Sequence, residues 1–491
     1  MVGRVFENMM QRNAILIGSI LIMMAAQCRA DNQANPSDGK APGPATGAAA
    51  IINPPADIDP AAALALGRSG VLKQAKGDLD GAMADFNAAI NADPGFAYGY
   101  AARAVIKNLK GDPEGAVADC NIAIEIRPNS SVPYVIRGMI ERRRGQLDAA
   151  LADINKGIAL GPKNAGGYCE RGIFEFDEND VDDALADYNR SVALAPNVAA
   201  PYTARADALR EKGDLKGAVA DCDKAVSLSP TNAGVYIARS RLRRREGELD
   251  EALADCDKAV ALDPKSPESF INRGNTRREL GDITGAMADY NQAITLAPTK
   301  PIAYCDRGIL KKDNNDPEGA ISDFHQALAV DPTHRNAYEF LGTAFMQMQN
   351  WDYALANFRQ FCALSQNGQD YPQLRIYLIR ARKGEAAAAG EELRAYFAAR
   401  KFTPPGDWAG KIAGYLLGTV PEATLTASEG VPDPTSLKGE TCERFYYIGM
   451  KSLLSGDKKT AAAAFQKCVA ANVKNYNEYQ LSRSELKALG L

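Results

Sequence analysis

The sequence contains few of the residues that enzymes and metalloproteins use for chemistry: among 491 residues there are two histidines and two tryptophans. Neither His325 nor His334 has a cysteine or carboxylate at metal-ligand spacing beyond those that a repeat, described below, already explains. The sequence also lacks an HExxH pair, a nucleophile elbow and a phosphate-binding glycine loop. These absences predict a protein that is not an enzyme and has no metal or cofactor.

A strong excess of charge is also missing. The chain has 57 Lys and Arg against 61 Asp and Glu, a formal net charge of -4. Nucleic-acid binding usually requires a marked basic excess, so we expect no nucleic-acid partner. The content of 46% apolar and 24% charged residues is typical of an ordinary helical protein.

A long hydrophobic run is absent as well. The apolar stretch Ala14 to Ala26 follows Arg4 and Arg12 and is shorter than the ~20 residues of a membrane-spanning helix. It predicts a signal peptide over 1–30 and therefore export. Two alternatives stay open: cleavage after Ala30, or lipidation of Cys28, for which Gln27 is a poor preceding residue. A flexible tether rich in Pro, Gly and Ala is expected over 31–62.

What the sequence does contain is a phrase that recurs. "GDLDGAMADFNAAINADP" at 77–94 returns 34 residues later as "GDPEGAVADCNIAIEIRP". Position 20 of each repeat is alanine and position 8 is small, marks that with this period are typical of tetratricopeptide (TPR) units. The sequence therefore predicts an all-α fold, a right-handed superhelical solenoid of nine units over 63–368. The units start at Ala63, Ala97, Ser131, Ala165, Ala199, Ala233, Pro267, Pro301 and Arg335.

Each unit is predicted to be a helix A, a turn and a helix B. The turn residue is usually glycine, as at Gly77 and Gly111, which can adopt a left-handed cap conformation. Asn179, Asn315 and Gln349 occupy the same phase in three units. Aspartates that follow the turn are expected to cap helix B: Asp78, Asp112, Asp214, Asp282 and Asp316.

Two charged rows follow the repeat. Position 7 carries Arg103, Arg137, Arg171, Arg205, Arg239, Arg273 and Arg307. Position 23 carries Asp85, Asp119, Asp153, Asp187, Asp221, Asp255, Asp289 and Asp323. Because the rows nearly coincide along the chain, we favour a structural ladder of ion pairs over an anion-binding row. Whether each pair lies within a unit or between neighbours is left open.

A third row, at position 12 of helix A, is expected on the concave side. It consists of Arg142, Arg210, Arg244, Arg278 and Lys312, with Arg143, Arg144, Arg243 and Arg245 beside it. We predict that this row is a protein-binding groove for acidic or extended partner segments. The competing interpretation is that these cations favour the helix dipole and are neutralised by their neighbours Glu211, Glu279 and Asp313.

The nine cysteines do not suggest a disulfide framework. Cys120, Cys222 and Cys256 occupy position 24, where other units have an aromatic residue, so we expect them to fill the core. Cys442 and Cys468 could face each other across one helical pair, and the sequence leaves open whether they are bridged.

The residues 369–491 are predicted to form a C-terminal helical cap. Three amphipathic segments are followed by a degenerate TPR pair at about 442–471, with Gly449, Gly456, Ala461 and Phe465 in phase, and by a final helix. Since only this end has extra sequence to act as a cap, the N-terminal unit is the expected partner or homodimer contact.

The C-terminal part resembles the NlpI family of bacterial TPR lipoproteins, most specifically in "SGDKKTAAAAFQKCVAANVKNYNEY". The resemblance implies an all-helical, commonly dimeric protein of the periplasm, tethered to the outer membrane. It also implies an adaptor that brings peptidoglycan hydrolases to a processing protease. The chain has more predicted TPR units than that family, so the adaptor role transfers better than the particular clients.

Two other function classes remain as alternatives. One is a cytosolic co-chaperone, whose groove holds a terminal carboxylate through Lys and Asn; here the corresponding positions read Ala101, Val135, Cys169, Thr203 and Ile237. The other is an enzyme activity in the C-terminal helices, a region without histidine. Both fit the sequence less well than an exported protein-binding scaffold.

Overall fold

The computed structural model describes residues 58–364, 368–400, 407–425, 434–473 and 476–491. Within these ranges the regular elements are helices, and no strand is present. The predicted signal peptide, Cys28 and the tether as far as residue 57 lie outside the described residues. The described chain divides into an N-terminal block, 58–264, and a C-terminal block, 265–491.

The N-terminal block holds repeats 1 to 6. Odd-numbered helices are helix A of each repeat and even-numbered ones are helix B. They are α1 (Pro60–Ala75), α2 (Leu79–Ala92), α3 (Ala97–Leu109), α4 (Pro113–Ile126), α5 (Ser131–Arg143), α6 (Leu147–Leu160), α7 (Ala165–Asp177), α8 (Val181–Leu194), α9 (Ala199–Glu211), α10 (Leu215–Leu228), α11 (Ala233–Glu246) and α12 (Leu249–Leu262).

The C-terminal block holds repeats 7 to 9 and the helices beyond them. They are α13 (Pro267–Leu280), α14 (Ile283–Leu296), α15 (Pro301–Asp313), α16 (Pro317–Val330), α17 (Arg335–Gln347), α18 (Trp351–Leu364), α19 (Asp370–Arg382), α20 (Ala386–Ala399), α21 (Trp408–Leu416), α22 (Pro434–Leu454), α23 (Lys458–Ala470) and α24 (Asn477–Ala488). The predicted all-α fold of paired helices is confirmed.

The turn between helices A and B has the same backbone in every repeat. Gly77 and Gly111 have φ of 80° and 83°, a left-handed conformation that costs glycine little. Asn179, Asn315 and Gln349 take it with φ of 69°, 66° and 58°, as their phase predicted. The five predicted aspartate caps are confirmed, since each side chain accepts the N–H three residues ahead at 2.8 to 2.9 Å.

The small residue at position 8 lets helix A lie directly on helix B. A Cβ added to Gly172 would lie 2.8 Å from the ring of Tyr188, and one added to Gly274 would lie 2.7 Å from Tyr290. Position 20 is fully buried throughout, from Ala82 to Ala354, at 0% exposure. One pair cannot cover its own apolar surface, so each pair stacks on the next within its block.

The pairing continues beyond residue 368. Arg375 stands where position 7 of a tenth repeat would fall, and helices α19 and α20 pack together. The turn glycine, Gly384 with φ of 88°, and the buried Ala389 follow one residue later than the period requires. One additional residue between Arg375 and Gly384 therefore shifts the second half of this pair out of the 34-residue period, so a fixed period does not predict it.

The predicted degenerate pair consists of α22 and α23. A Cβ on Gly449 would lie 2.5 Å from Phe465, which repeats the contact seen in the regular repeats. A disulfide joins Cys442 to Cys468, whose Cα atoms are 4.1 Å apart. Cys120, Cys222 and Cys256 are buried and take no part in a disulfide, as expected for core residues.

Candidate protein-binding surface

The position 7 arginines bind aspartates within their own repeat. Each donates from Nε and Nη2 to the two carboxylate oxygens sixteen residues later, at 2.6 to 3.2 Å. The carboxylates are mostly buried; Asp119 and Asp323 are each 2% exposed. A bidentate contact of this kind is directional as well as strong.

Several of these arginines also reach the preceding repeat. Arg103 Nη1 donates to Asn87 Oδ1 at 2.9 Å and Arg205 Nη1 to Asn189 Oδ1 at 2.8 Å. In each of these repeats the guanidinium also lies over the aromatic ring three residues earlier, at 5.3 to 5.8 Å. The arginine thus joins two repeats, and its donors are already used, which favours a structural ladder over an anion-binding row.

The first repeat has a different arrangement. Position 7 is Ser69, so the ladder has no arginine there, and Lys73 Nζ pairs with Asp85 Oδ1 at 2.8 Å instead. Lys73 is at position 11. In later repeats a position 11 cation joins the arginine on the same carboxylate: Lys107, Arg243, Arg277 and Lys311, at 2.8 to 3.0 Å.

Repeats 3 and 4 have glutamate at position 11. Burial and the neighbouring Asp187 raise the pKa of Glu175 to about 7. Burial and Asp153 raise the pKa of Glu141 in the same way. In these two repeats a carboxylate therefore stands where five other repeats have a cation.

The position 12 row does not form the free basic stripe that the sequence suggested. Arg142 Nη1 lies 2.5 Å from Asp177, and Arg210 Nη2 lies 2.6 Å from Glu211. Arg278 lies 3.6 Å from Asp313. The reason is that an acid at position 13, of the same or the next repeat, accompanies the cation, so the competing interpretation is the better one for these residues.

Some of the cations beside the position 12 row also form ion pairs within the chain. Arg144 pairs with Glu114 at 3.3 Å, and Arg243 belongs to the ladder. Burial lowers the pKa of Arg143 to about 10. Arg244 is half-buried and Arg245 is exposed.

Lys312, the last member of the row, holds a helix from elsewhere in the chain. Its side chain is 5% exposed, and its Nζ donates to Asn477 Oδ1 of α24 at 2.6 Å. Gln480, also on α24, donates to the carbonyl of Asp313 at 3.0 Å. Here the position 12 face of a helix A serves as a docking surface for another helix.

The rest of α24 is held by ion pairs that the sequence analysis did not find. Arg375 donates to Glu478 at 3.1 Å and to Glu339 at 3.0 Å. Arg382 binds Glu485 with both terminal nitrogens. In the sequence, Arg375 and Arg382 are seven residues apart, and so are Glu478 and Glu485. This equal spacing is compatible with two ion pairs between two helices, but only the fold shows that the helices face each other.

Glu443 lies between three helices of the C-terminal block. It accepts Trp408 Nε1 at 2.8 Å and the Tyr371 hydroxyl at 2.9 Å. Burial and the neighbouring Glu478 raise the pKa of Glu443 to about 7. The contacts are internal to the C-terminal block and point to a structural role.

The remaining titratable side chains form no arrangement typical of a catalytic or metal site in the described residues. Within the described ranges, no group of three or more His, Cys, Asp or Glu is placed to bind a metal ion. His334 lies 3.8 Å from Asp331, and burial lowers its pKa. None of the helices described here is both long and apolar enough to cross a bilayer.

Comparison with known families agrees with the geometry. Models described as tetratricopeptide repeat match residues 169–233, 233–266 and 305–372, and a TPR repeat model matches 274–315. Within residues 169–372, the repeats match these tetratricopeptide repeat models. The positions that correspond to the co-chaperone clamp are buried and carry neither Lys nor Asn: Ala101, Val135, Cys169, Thr203 and Ile237.

Solved TPR structures resemble the chain at low sequence identity. The Cut9–Hcn1 hetero-tetramer of APC/C matches with a TM-score of 0.50 and 16% identity, over 64% of this chain and 62% of that one. This chain therefore spans less than two thirds of that structure, and the likeness concerns the fold alone. A TPR protein from Parabacteroides merdae matches with a TM-score of 0.38 and 19% identity, over 57% of this chain and 98% of that one. The human IFIT1 dimer with PPP-AAAA matches with a TM-score of 0.45 and 16% identity, over 76% and 91%.

Proposed function

We propose that the protein is a non-enzymatic adaptor of the bacterial cell envelope that holds segments of partner proteins against the position 12 face of its helices A. TPR folds generally bind other proteins or peptides, which supports the scaffold role. The observation that carries the proposal is the contact of Lys312 and Asp313 with α24. On α15 this face binds α24 through hydrogen bonds from polar side chains, which supports the same use of the face in other repeats.

The partner segment is acidic in this proposal. Carboxylates of the partner compete with Glu211 for Arg210, and with the corresponding neighbours elsewhere in the row. Because the cations are already paired within the chain, each partner carboxylate contributes little binding free energy. Binding therefore requires contacts with several repeats at once and weakens as the salt concentration rises. The clients proposed, from the family resemblance, are peptidoglycan hydrolases and a processing protease.

The binding face is tested by reversing charge. The double variant Arg210→Glu, Arg244→Glu is compared with the control Lys212→Glu, Arg144→Glu, whose residues are more exposed and pair with surface acids. We expect capture of envelope proteins by the full chain, cross-linked and identified by mass spectrometry at low and high salt, to fall in the first variant alone. Equal, salt-insensitive capture by both variants would contradict the proposal.

The location is proposed from the sequence of residues 1–30, with Cys28 as the candidate lipid anchor. Fractionation of cells, with mass spectrometry of the mature N-terminus, distinguishes cleavage after Ala30 from a lipidated Cys28. Loss of membrane association in Cys28→Ser is expected if the anchor is used. Recovery of an uncleaved chain in the cytosol would contradict export and favour a cytosolic binding protein.

A further inference from the structure

Helix α1 exposes an apolar face. Leu64 is 38% exposed and Leu72 is 64% exposed. We call the exposed sector of this helix the end face; it consists of Ala61, Leu64, Ala65, Arg68, Leu72 and Ala75. These residues project within about 100° of one another around a helix of 3.6 residues per turn. The opposite side of α1, with Ala63 and Gly70, is buried against the rest of its repeat.

Later repeats show what covers the equivalent face. Leu72 is at position 10, where Ile106, Ile140 and Leu242 are at most 3% exposed. Gly99 is at position 3 of repeat 2, the position of Ala65 in repeat 1. A Cβ added to Gly99 would lie 3.1 Å from Ile90 of the preceding helix B. A preceding helix B, with an aliphatic residue at position 28, therefore packs on this face of an internal helix A.

The charge of α1 indicates which kind of helix fits the end face. Between residues 60 and 76 there are three cations, Arg68, Lys73 and Lys76, and no acid. A second copy of α1 would bring like charges together, which is unfavourable. Some helices B of this chain are acidic; α4, for example, carries Glu114, Asp119 and Glu125 and no cation.

Beside the end face lies a cavity that would anchor one large side chain. It has a volume of about 230 Å³, and Leu64 is shared between the cavity and the end face. Phe96, Tyr98, Val132 and Pro133 form other parts of its wall. Asp93, Arg127 and Ser130 also line the cavity, so its wall is partly apolar and partly polar. Pockets at protein interfaces hold the large side chains that dominate binding.

We propose that the end face binds one amphipathic α-helix of a partner protein, aliphatic along its contact stripe and carboxylate-bearing beside it, which packs on α1 as a preceding helix B would. The partner helix covers Leu72, places carboxylates near Arg68 and Lys76, and inserts one apolar side chain beside Leu64. This site is separate from the position 12 face and does not depend on the proposed function.

A helix from the chain itself is a suitable probe. The probe is a fluorescent peptide of residues 113–128 with Cys120→Ala, hydrocarbon-stapled on the side away from Asn121 and Ile124, because short isolated helices are marginal in water. We expect it to bind the full chain in an anisotropy titration and to bind at least tenfold more weakly to Leu72→Glu. Leu147→Glu is the matched control, since Leu147 is also an exposed leucine, at 39%. A scrambled peptide of the same composition should not bind.

Three results would overturn the assignment. One is no binding of the probe, and a second is equal binding to the chain and to both Leu72→Glu and Leu64→Gln. The third is a dimer, seen by sedimentation, that Leu72→Glu dissociates, because a second copy would then be the occupant. Circular dichroism of each variant shows whether the helices are intact, and Leu64→Gln provides a milder substitution if Leu72→Glu unfolds.

Discussion

Repeats 2 and 4 contain the same ladder but differ at one position beside it. In repeat 2, Lys107 joins Arg103 on the carboxylate of Asp119, at 3.0 Å. In repeat 4, Glu175 occupies the place of that lysine, and Asp187 is balanced by Arg171 alone among the ladder cations. A buried carboxylate with two cations keeps a partner when one is removed. We therefore expect the residue at position 11 to determine how much each repeat depends on its ladder arginine.

The largest expected effect is the loss of that arginine in repeat 4. Arg171→Met leaves the buried Asp187 beside Glu175 without its bidentate partner, and breaking a buried pair costs about 3–5 kcal/mol. Arg103→Met should cost clearly less, because Lys107 still contacts Asp119. Thermal unfolding, with hydrogen exchange in α8 and α4, measures the two losses. Equal losses would mean that position 11 does not support the ladder.

The second prediction concerns pH. The pKa of Glu175 is about 7 in the folded chain, against an ordinary value of 4.5. The folded state then binds the proton more tightly than the unfolded state, so the stability that this group contributes is full below pH 4.5 and is lost as pH rises toward 7. The exposed fraction of the side chain reduces the effect to about 1–2 kcal/mol. Glu443, with a pKa also near 7, should act in the same direction in the C-terminal block.

The glutamine variants test this dependence. Glu175→Gln should raise the Tm at pH 8 and change it little at pH 5, which flattens the curve between them. Glu114→Gln, at a well exposed position, is the control and should leave the curve unchanged. A Glu175→Gln variant that is no more stable at pH 8 than the parent would show that the proton is not linked to folding.

The third prediction restores the cation. Glu175→Lys gives repeat 4 the arrangement of repeat 2, and we expect a gain of about 1–2 kcal/mol at pH 7.5, since a like-charge contact becomes a partly buried ion pair. In the double variant with Arg171→Met, the lysine should recover part of the lost stability. A double-mutant cycle between the two positions measures this coupling.

Much of the fold could be predicted from the sequence because its determinants are local and periodic. The turn residue Asn179, the cap Asp112 and the small Gly172 each act within one repeat and recur at a fixed spacing. The rows at positions 7 and 23 were visible in the same way. The hydrogen bond from Arg103 to Asn87 of the preceding repeat was not predicted. The recurrence of asparagine at position 25 is the sequence signal that could have indicated it.

The parts that could not be predicted depend on contacts outside the period. The one-residue insertion before Gly384 concealed the pair α19 and α20. Arg375 and Glu478 are 103 residues apart, and no spacing in the sequence indicates that they meet. The sequence left open how far the position 12 row is neutralised, because this depends on the neighbouring acids, whose orientation only the fold shows.

The smallest expected effect comes from placing the missing arginine in the first repeat. Ser69→Arg completes the position 7 row, but Asp85 already has Lys73 at 2.8 Å. The aromatic residue found three positions before the other ladder arginines is absent, since Leu66 stands there, and the described chain has no earlier repeat to supply the asparagine contact. We therefore expect a change within about 0.5 kcal/mol, as for an ordinary surface substitution. A gain above about 1 kcal/mol in thermal unfolding would mean that the carboxylate contact alone stabilises a repeat, and that the contacts of the arginine with its ring and with the preceding repeat contribute little.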